Sequence, residues 1–309
     1  MANEIGTAAG LGTYGANLRA AEIYNRMLHE TLVDRTDIRQ TVSRLGDLSM
    51  AGSTALETGT VSFDDPFAAA NTDETTAADN TALGNGQVTT TIAHQILSYG
   101  LTDLFMVTGA PGMLNLQKLA AKMADAYTLR FTDLVCSLFT SVTATAGSSG
   151  VDMTVDDWYD GIFTLEQAVV PGPFSACIAP VQWTDLQSSL RGEGGANQYK
   201  PATAEALQLK GPGYKGNLFG VDVYVADSVT TSGGNREGAM WGEGAFGYVE
   251  ASPSGAMPGS IAVPIPAGSP VYAEFVRAGD PGISRVVGHA FVGVSIVENA
   301  RAVGLITDA

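Results

Sequence analysis

Residues 46–93 carry seven carboxylates (Asp47, Glu57, Asp64, Asp65, Asp73, Glu74 and Asp79) and no lysine or arginine. Two segments within that stretch, Thr58–Phe63 and Gln87–Ile92, have strand character. Between them lies a tip rich in Asn, Asp, Thr and Ala. The pattern predicts a long two-stranded excursion with a loose end. A pair of strands without a hydrophobic face of its own is marginal in water. It needs a surface to lie on, and so it points to a partner subunit.

The rest of the chain is ordinary enough to supply a body. At 309 residues and 45% hydrophobic composition it can bury a full core, and its length permits two or three lobes. Glycine, at 37 residues, is above its usual share. With 32 acidic residues against 16 basic ones the net charge is −16. That argues against a surface that wraps nucleic acid by neutralising phosphates. It suits a wall that repels DNA held close to it, with plain solubility as the other reading. The N-terminus lacks the basic and apolar regions of a secretory signal, and no apolar run reaches the ~20 residues that span a bilayer. The two cysteines, Cys136 and Cys177, are therefore expected to be reduced, buried and inert in a cytosolic setting.

Along the chain, residues 1–15 read as a small, Gly-rich flexible arm, followed by a helix over 16–33. Residues 1–45 balance five arginines (Arg19, Arg26, Arg35, Arg39, Arg44) with five acids. After Pro111-Gly112, apolar residues from Leu116 to Val142 recur at three- and four-residue steps, which predicts a helix over 113–145, ~50 Å long. A second helix is expected from a Thr154 cap through Trp158, Ile162 and Leu165, broken by Pro171-Gly-Pro173. An apolar strand over Phe174–Ala179, a helix near Trp183–Leu190 and a flexible loop over 191–200 come next. Strands are expected over Leu218–Ala226, Ala245–Ala251, Ser260–Ile265, Val271–Arg277 and His289–Val297.

Catalytic chemistry is hard to assemble from these residues. His29, His94 and His289 lie far apart, without metal-ligand spacing. Asp64-Asp65 before Pro66 reads as a turn, and Asp156-Asp157 as the first turn of a helix. Two GxGxxG matches, at Gly10/Gly12/Gly15 and Gly242/Gly244/Gly247, lack the strand–helix context of a dinucleotide site. No nucleophile–base pair can be named, so no catalytic, cofactor or metal residue is assigned.

The order of parts is more telling: an arm with a helix, an acidic hairpin, a spine helix, an α/β lobe and a β-rich return. Thr54–Pro66 resembles the ascending side of the E-loop of HK97-type major capsid proteins of tailed bacteriophages. Gly216–Ser228 and Gly238–Ala251 are similar to that family's lobe strands, and Val271–Arg277 and Gly288–Val294 to its sheet. The resemblance implies an α+β HK97-like capsid fold. Its parts are an N-arm (1–45), an E-loop (46–100), a P-domain spine helix (101–150), an A-domain (151–235) and a P-domain β-sheet with return strands (236–309). It implies a non-enzymatic shell protein of pentamers and hexamers enclosing dsDNA without sequence-specific binding, without a membrane or cofactor. Portal and decoration proteins are possible partners. Two departures narrow it. The E-loop has no lysine from which an isopeptide cross-link could start. The arm begins close to Met1, which implies a separate scaffolding protein rather than a built-in one.

Charge suggests how copies meet. Arg26, Arg35, Arg39 or Arg44 of one subunit is expected to face Asp64, Asp65, Asp73 or Glu74 of a neighbour, at ~0–1 kcal/mol per exposed pair. The competing reading is pairing within the arm helix itself. The 191–200 loop is expected at the capsomer axis. The rival functions are an encapsulin-type nanocompartment shell and an unrecognised α/β enzyme.

Overall fold

The computed structural model describes residues 23–31, 38–49, 51, 53–62, 84–102, 112–192, 199–211, 213–252, 271–278 and 283–308. The helices are α1 (23–31), α2 (Gly112–Cys136), α3 (Val155–Gln167), α4 (Pro180–Gly192) and α5 (Ala204–Lys210). The strands of the first part are β1 (Ser43–Asp47), β2 (Ala55–Ser62), β3 (Gly84–Thr91), β4 (Ala93–Thr102) and β5 (Ala144–Gly147). The middle holds β6 (Phe174–Ile178), β7 (Tyr199–Pro201), β8 (Tyr214–Leu218), β9 (Val221–Val225) and β10 (Thr231–Ser232). The return holds β11 (Asn235–Trp241), β12 (Phe246–Glu250), β13 (Val271–Ala278), β14 (Ile283–Ile296) and β15 (Ala302–Asp308).

These strands make two large sheets and one isolated pair. In the five-stranded sheet β14 is central. It pairs with β4 along one edge and with β13 and then β12 along the other, and β1 lies parallel to β12. The eight-stranded sheet runs β5-β15-β11-β6-β9-β8-β7, with β10 attached to β11. β2 and β3 pair only with each other.

The eight-stranded sheet is buried on both faces, as the unbroken apolar run of β6 requires. Ala176 and Ile178 point to one side, against Trp158, Ile162 and Leu165 of α3 and Leu186 and Leu190 of α4. Cys177, Tyr224 and Trp241 point to the other, against Val135 near the end of α2, Phe139 in the turn that follows it and Phe246 of the second sheet. A third core joins Tyr24 and Leu28 of α1 to Met123 and Tyr127 of α2 and to Val271, Val286 and Ala290 beneath. Buried Asn25 completes that joint: its amide donates to the Ala273 carbonyl at 3.2 Å and accepts from the Ala273 N–H at 2.7 Å. A side-chain amide thereby takes the place of a missing neighbour strand beside β13.

Local signals explain several element starts. Thr154 caps α3 in a capping box: its oxygen accepts from the Asp157 N–H at 3.2 Å, while its own N–H donates to the Asp157 carboxylate at 2.9 Å. Thr203 caps α5 with a single bond, its hydroxyl accepting the Ala206 N–H at 3.2 Å.

The structure also departs from expectation. The spine helix ends at Cys136, not 145, so it is about 37 Å long. Ser137 donates to the Leu134 carbonyl, a 3-10 turn follows at Phe139–Ser141, and the β-branched residues after it enter β5. Phe139 still reaches the core, but from that turn. The expected strand Leu218–Ala226 is two strands, β8 and β9, folded back at Phe219-Gly220, both in the left-handed region. Asn217 accepts the Gly220 N–H there at 3.0 Å. Segment 236–309 serves both sheets: β11 and β15 belong to the eight-stranded one, and β12, β13 and β14 to the other. The expected strand Ser260–Ile265, the arm 1–15 and most of the 191–200 loop lie outside the described residues.

Candidate assembly interface

The isolated pair β2–β3 is the feature that needs a partner. Its eight residue pairs run in register from Ala55↔Thr91 to Ser62↔Gly84. None of its residues belongs to any of the three cores among the described residues. Only its root is anchored. The Ile92 N–H donates to Thr54 at 2.8 Å, and buried Thr90 shares a 2.5 Å hydroxyl contact with Ser295 of β14. The backbone of Thr91 lies so close to Gly293 that a Cβ there would sit 2.2 Å from its oxygen, so glycine is required for this approach. Beyond the root the described side chains are exposed or half-exposed.

The arginines expected to face it fare differently. Arg39, in the 3-10 turn Ile38–Thr41, is taken up within its own chain: it ion-pairs with buried Glu250 and stacks over the rings of Phe131 and Tyr248 at 5.4 and 5.2 Å. This gives Arg39 a partner within its own chain, as a buried carboxylate demands one. Arg44 lies 3.3 Å from Asp47 and 3.9 Å from Glu250. Asp47 in turn accepts from Ser49, and that hydrogen bond holds its carboxyl below the usual carboxylate range. Arg26 pairs with Glu30 at 3.0 Å along α1, with its side chain 78% exposed. Arg35, Asp64, Asp65, Asp73 and Glu74 lie outside the described residues.

Other surfaces of the lobe are apolar and open. On α3, Tyr159 and Phe163 stand one turn apart, Phe163 62% exposed, with Phe219 against the Tyr159 ring at 4.5 Å. Helix α5 buries no residue and presents Leu207 and Leu209. Patches of this kind on one face are what a contact with another chain uses.

Two histidines that sequence spacing kept apart are brought together. Across β4 and β14, His94 Nε2 lies 3.0 Å from His289 Nδ1, and His289 Nε2 lies 3.3 Å from Glu274. A carboxylate can only accept, so His289 donates to Glu274 from Nε2 and accepts at Nδ1 from His94. His289 also stacks with Tyr272, and His94 with Phe291. Only the register Phe291↔His94 reveals this pairing, and no local motif signals it. Burial, and then the neighbouring His289, hold the His94 pKa below its ordinary value.

A cleft of about 330 Å³ lies where the two sheets meet, lined by Gln40, Lys210, Asp222, Tyr224, Trp241 and Glu243. Within it Lys210 pairs with Asp222, which also accepts from Tyr214 at 3.0 Å. Burial, and then that carboxylate, push the Tyr214 phenol up to about 12. Among the described residues no group of three His, Cys, Asp or Glu side chains is placed to hold a metal ion. No described helix is long and apolar enough to cross a membrane.

Solved structures share this arrangement. The capsid of Ralstonia phage GP4 superposes with a TM-score of 0.58 at 8% identity, covering 89% of this chain and 92% of that one. The capsid of cyanophage P-SCSP1u gives 0.56 at 12% identity, over 88% of each chain. The chain has the HK97-like capsid fold. The encapsulin of the holo-SrpI complex from Synechococcus elongatus shares the fold as well, with a TM-score of 0.59 at 11% identity over 88% of this chain and 87% of that one. No family model and no curated protein sequence matches.

Proposed function

We propose that this chain is a major capsid protein that assembles through copies of itself into pentamers and hexamers, closing a viral shell around dsDNA. The observation that carries the reading is the ribbon β2–β3, a long element with no core of its own, in a chain whose fold is that of shell-forming proteins along about 88% of its length. Such a ribbon is stable when it lies on a neighbouring subunit. The acidic composition supports a wall that does not adhere to packaged DNA.

The encapsulin reading is supported by the SrpI neighbour, which overlaps this chain as well as the phage capsids do. The two readings part on contents: nucleic acid in one, protein cargo in the other. A separate scaffolding protein, a portal and decoration proteins belong to the viral reading, as does assembly in a host cytoplasm. The charge pairing between copies rests on Arg26, Arg35, Arg39 or Arg44 facing Asp64, Asp65, Asp73 or Glu74, with Arg39 also paired to Glu250 of its own chain.

Negative-stain electron microscopy of the chain expressed alone and with a neighbouring scaffold gene tests the reading. Closed shells or sheets of rings are expected. A monomer or small oligomer under every condition refutes it. The Asp64→Lys/Asp65→Lys variant is expected to stay folded by circular dichroism yet form no particles; normal particles would refute the charge pairing alone.

A further inference from the structure

We propose that Cys136 and Cys177 are a redox-active pair that closes to an intrachain disulfide on oxidation and staples the spine helix to the lobe sheet. These are the two cysteines of the chain. They lie 41 residues apart in sequence, on different elements, and the fold places their sulfurs 4.0 Å from each other with both residues fully buried. Cys136 is the last residue of α2. Its backbone is held by Thr230, whose hydroxyl donates to the Cys136 carbonyl at 3.3 Å. Cys177 is the one residue of the Ala176–Ile178 run that faces α2, since its neighbours point into the opposite core. It is fixed between Ala239 on β11 and Tyr224 on β9. The two side chains therefore converge from defined supports, and closing the bond requires the sulfurs to approach by about 2 Å.

The chemistry requires an oxidant, and burial restricts its size. Hydrogen peroxide is small enough to reach a dry core through ordinary opening motions. One sulfur attacks the peroxide: an S–O bond forms, the O–O bond breaks, and water leaves with the thiol proton, giving a sulfenic acid. The second thiol then attacks that sulfur, the S–S bond forms, and the hydroxyl leaves as a second water. Two thiols are oxidised and one peroxide is reduced to two waters. The contact favours this outcome over deeper oxidation, because the resolving thiol already touches the sulfur that is first oxidised.

The product would span the joint between the two large sheets. On one side stands the helix that packs on the five-stranded sheet, and on the other a central strand of the eight-stranded one. A shell subunit made reduced inside a cell would thus gain a covalent tie on reaching an oxidising medium. The pair does not depend on the shell reading, since both sulfurs belong to one chain.

The test treats the intact purified protein with hydrogen peroxide under native conditions, then denatures it with iodoacetamide and no reductant. Peptide mapping is used because the nine methionines also take up oxygen. The expected result is a cross-linked peptide containing Cys136 and Cys177, lighter by two hydrogens and free of alkyl groups. Tm should rise by about 5 °C, and dithiothreitol should reverse the rise. The proposal is overturned if both cysteines remain alkylatable, if they carry sulfinic or sulfonic acid, or if they bridge different chains. The Cys177→Ala variant should yield no internal cross-link; if it fails to fold, the wild-type peptide map decides by itself.

Discussion

The ribbon β2–β3 and the lobe around β6 are both built from paired strands, yet their energetics differ in kind. Every residue of β6 from Ser175 to Ile178 is buried, and helices or a second sheet cover both faces. The ribbon has as many cross-strand hydrogen-bonding partners as its length allows, but beyond its root it covers nothing. Backbone pairing contributes little net stability because water competes for the same groups, whereas burial of apolar area is the dominant favourable term. The lobe can therefore be stable in one subunit, while the ribbon, on the proposed shell reading, is completed by a neighbouring copy. On that reading the contrast separates residues that serve the fold from those that serve assembly.

The largest effect is expected where the lobe is densest. Trp158 is wholly buried in the core beneath α3. Trp158→Ala should cost ~3–5 kcal/mol by lost transfer energy and the cavity left behind. Denaturant titration of the isolated subunit measures this, and a loss below ~1 kcal/mol would break the claim that the lobe stabilises itself.

Next comes the buried charge at the joint of arm and sheet. Arg39→Met leaves Glu250 facing a buried site with only the more distant Arg44 nearby. The expected loss is about 3 kcal/mol, with partial rescue by Glu250→Gln in the same chain. If Arg39 instead bridges subunits, Arg39→Met leaves the isolated subunit unchanged and affects particles alone. The double variant distinguishes the two roles.

Elements carried by local signals were legible in the sequence, and those decided by distant pairing were not. Thr154, Asp157 and the Pro171-Gly-Pro173 break mark α3 within a dozen residues, and the ribbon announces itself by strand character and charge. The end of α2 was misread because Leu138 and Val142 keep helical spacing, while their backbone leaves the helix to feed a 3-10 turn and β5. The turn between β8 and β9 was hidden because Phe219, with φ near 53°, is not a residue that advertises a left-handed position. Strand β15 finds its partners in β5 and β11, one of them far back along the chain. The same holds for Arg39, which reads as an arm charge until Glu250 is placed beside it, and for the His94–His289 contact.

A smaller effect follows from that histidine pair. In the folded chain His94 titrates below its ordinary value, whereas in the unfolded chain it titrates near 6.5. From about pH 6.5 downward the unfolded state therefore binds more protons. Stability is complete above that pH and declines as the pH falls toward the folded value. The decline is modest, because His94 is only partly desolvated. Urea midpoints at pH 8, 6 and 5, at about those values, should fall in that order more steeply for the wild type than for His94→Gln. Equal slopes would remove the pair from the account. Tyr272 and Glu274 face the same site and stay in place in both proteins.

The smallest effect on stability is expected in the ribbon, and it is the most diagnostic. Val88 pairs across the ribbon with Thr58 and joins none of the cores. Val88→Lys should change the unfolding free energy of the isolated subunit by less than ~0.5 kcal/mol, as for a surface position. In an assembly the same side chain would meet the body of a neighbouring copy, and a lysine there would bring charge and bulk to a docked face. Particle yield should therefore collapse while the denaturant midpoint holds. A variant that loses stability without losing particles would invert the comparison: the ribbon would then belong to its own subunit, and the surface that joins copies would have to be sought on α3 and α5 instead.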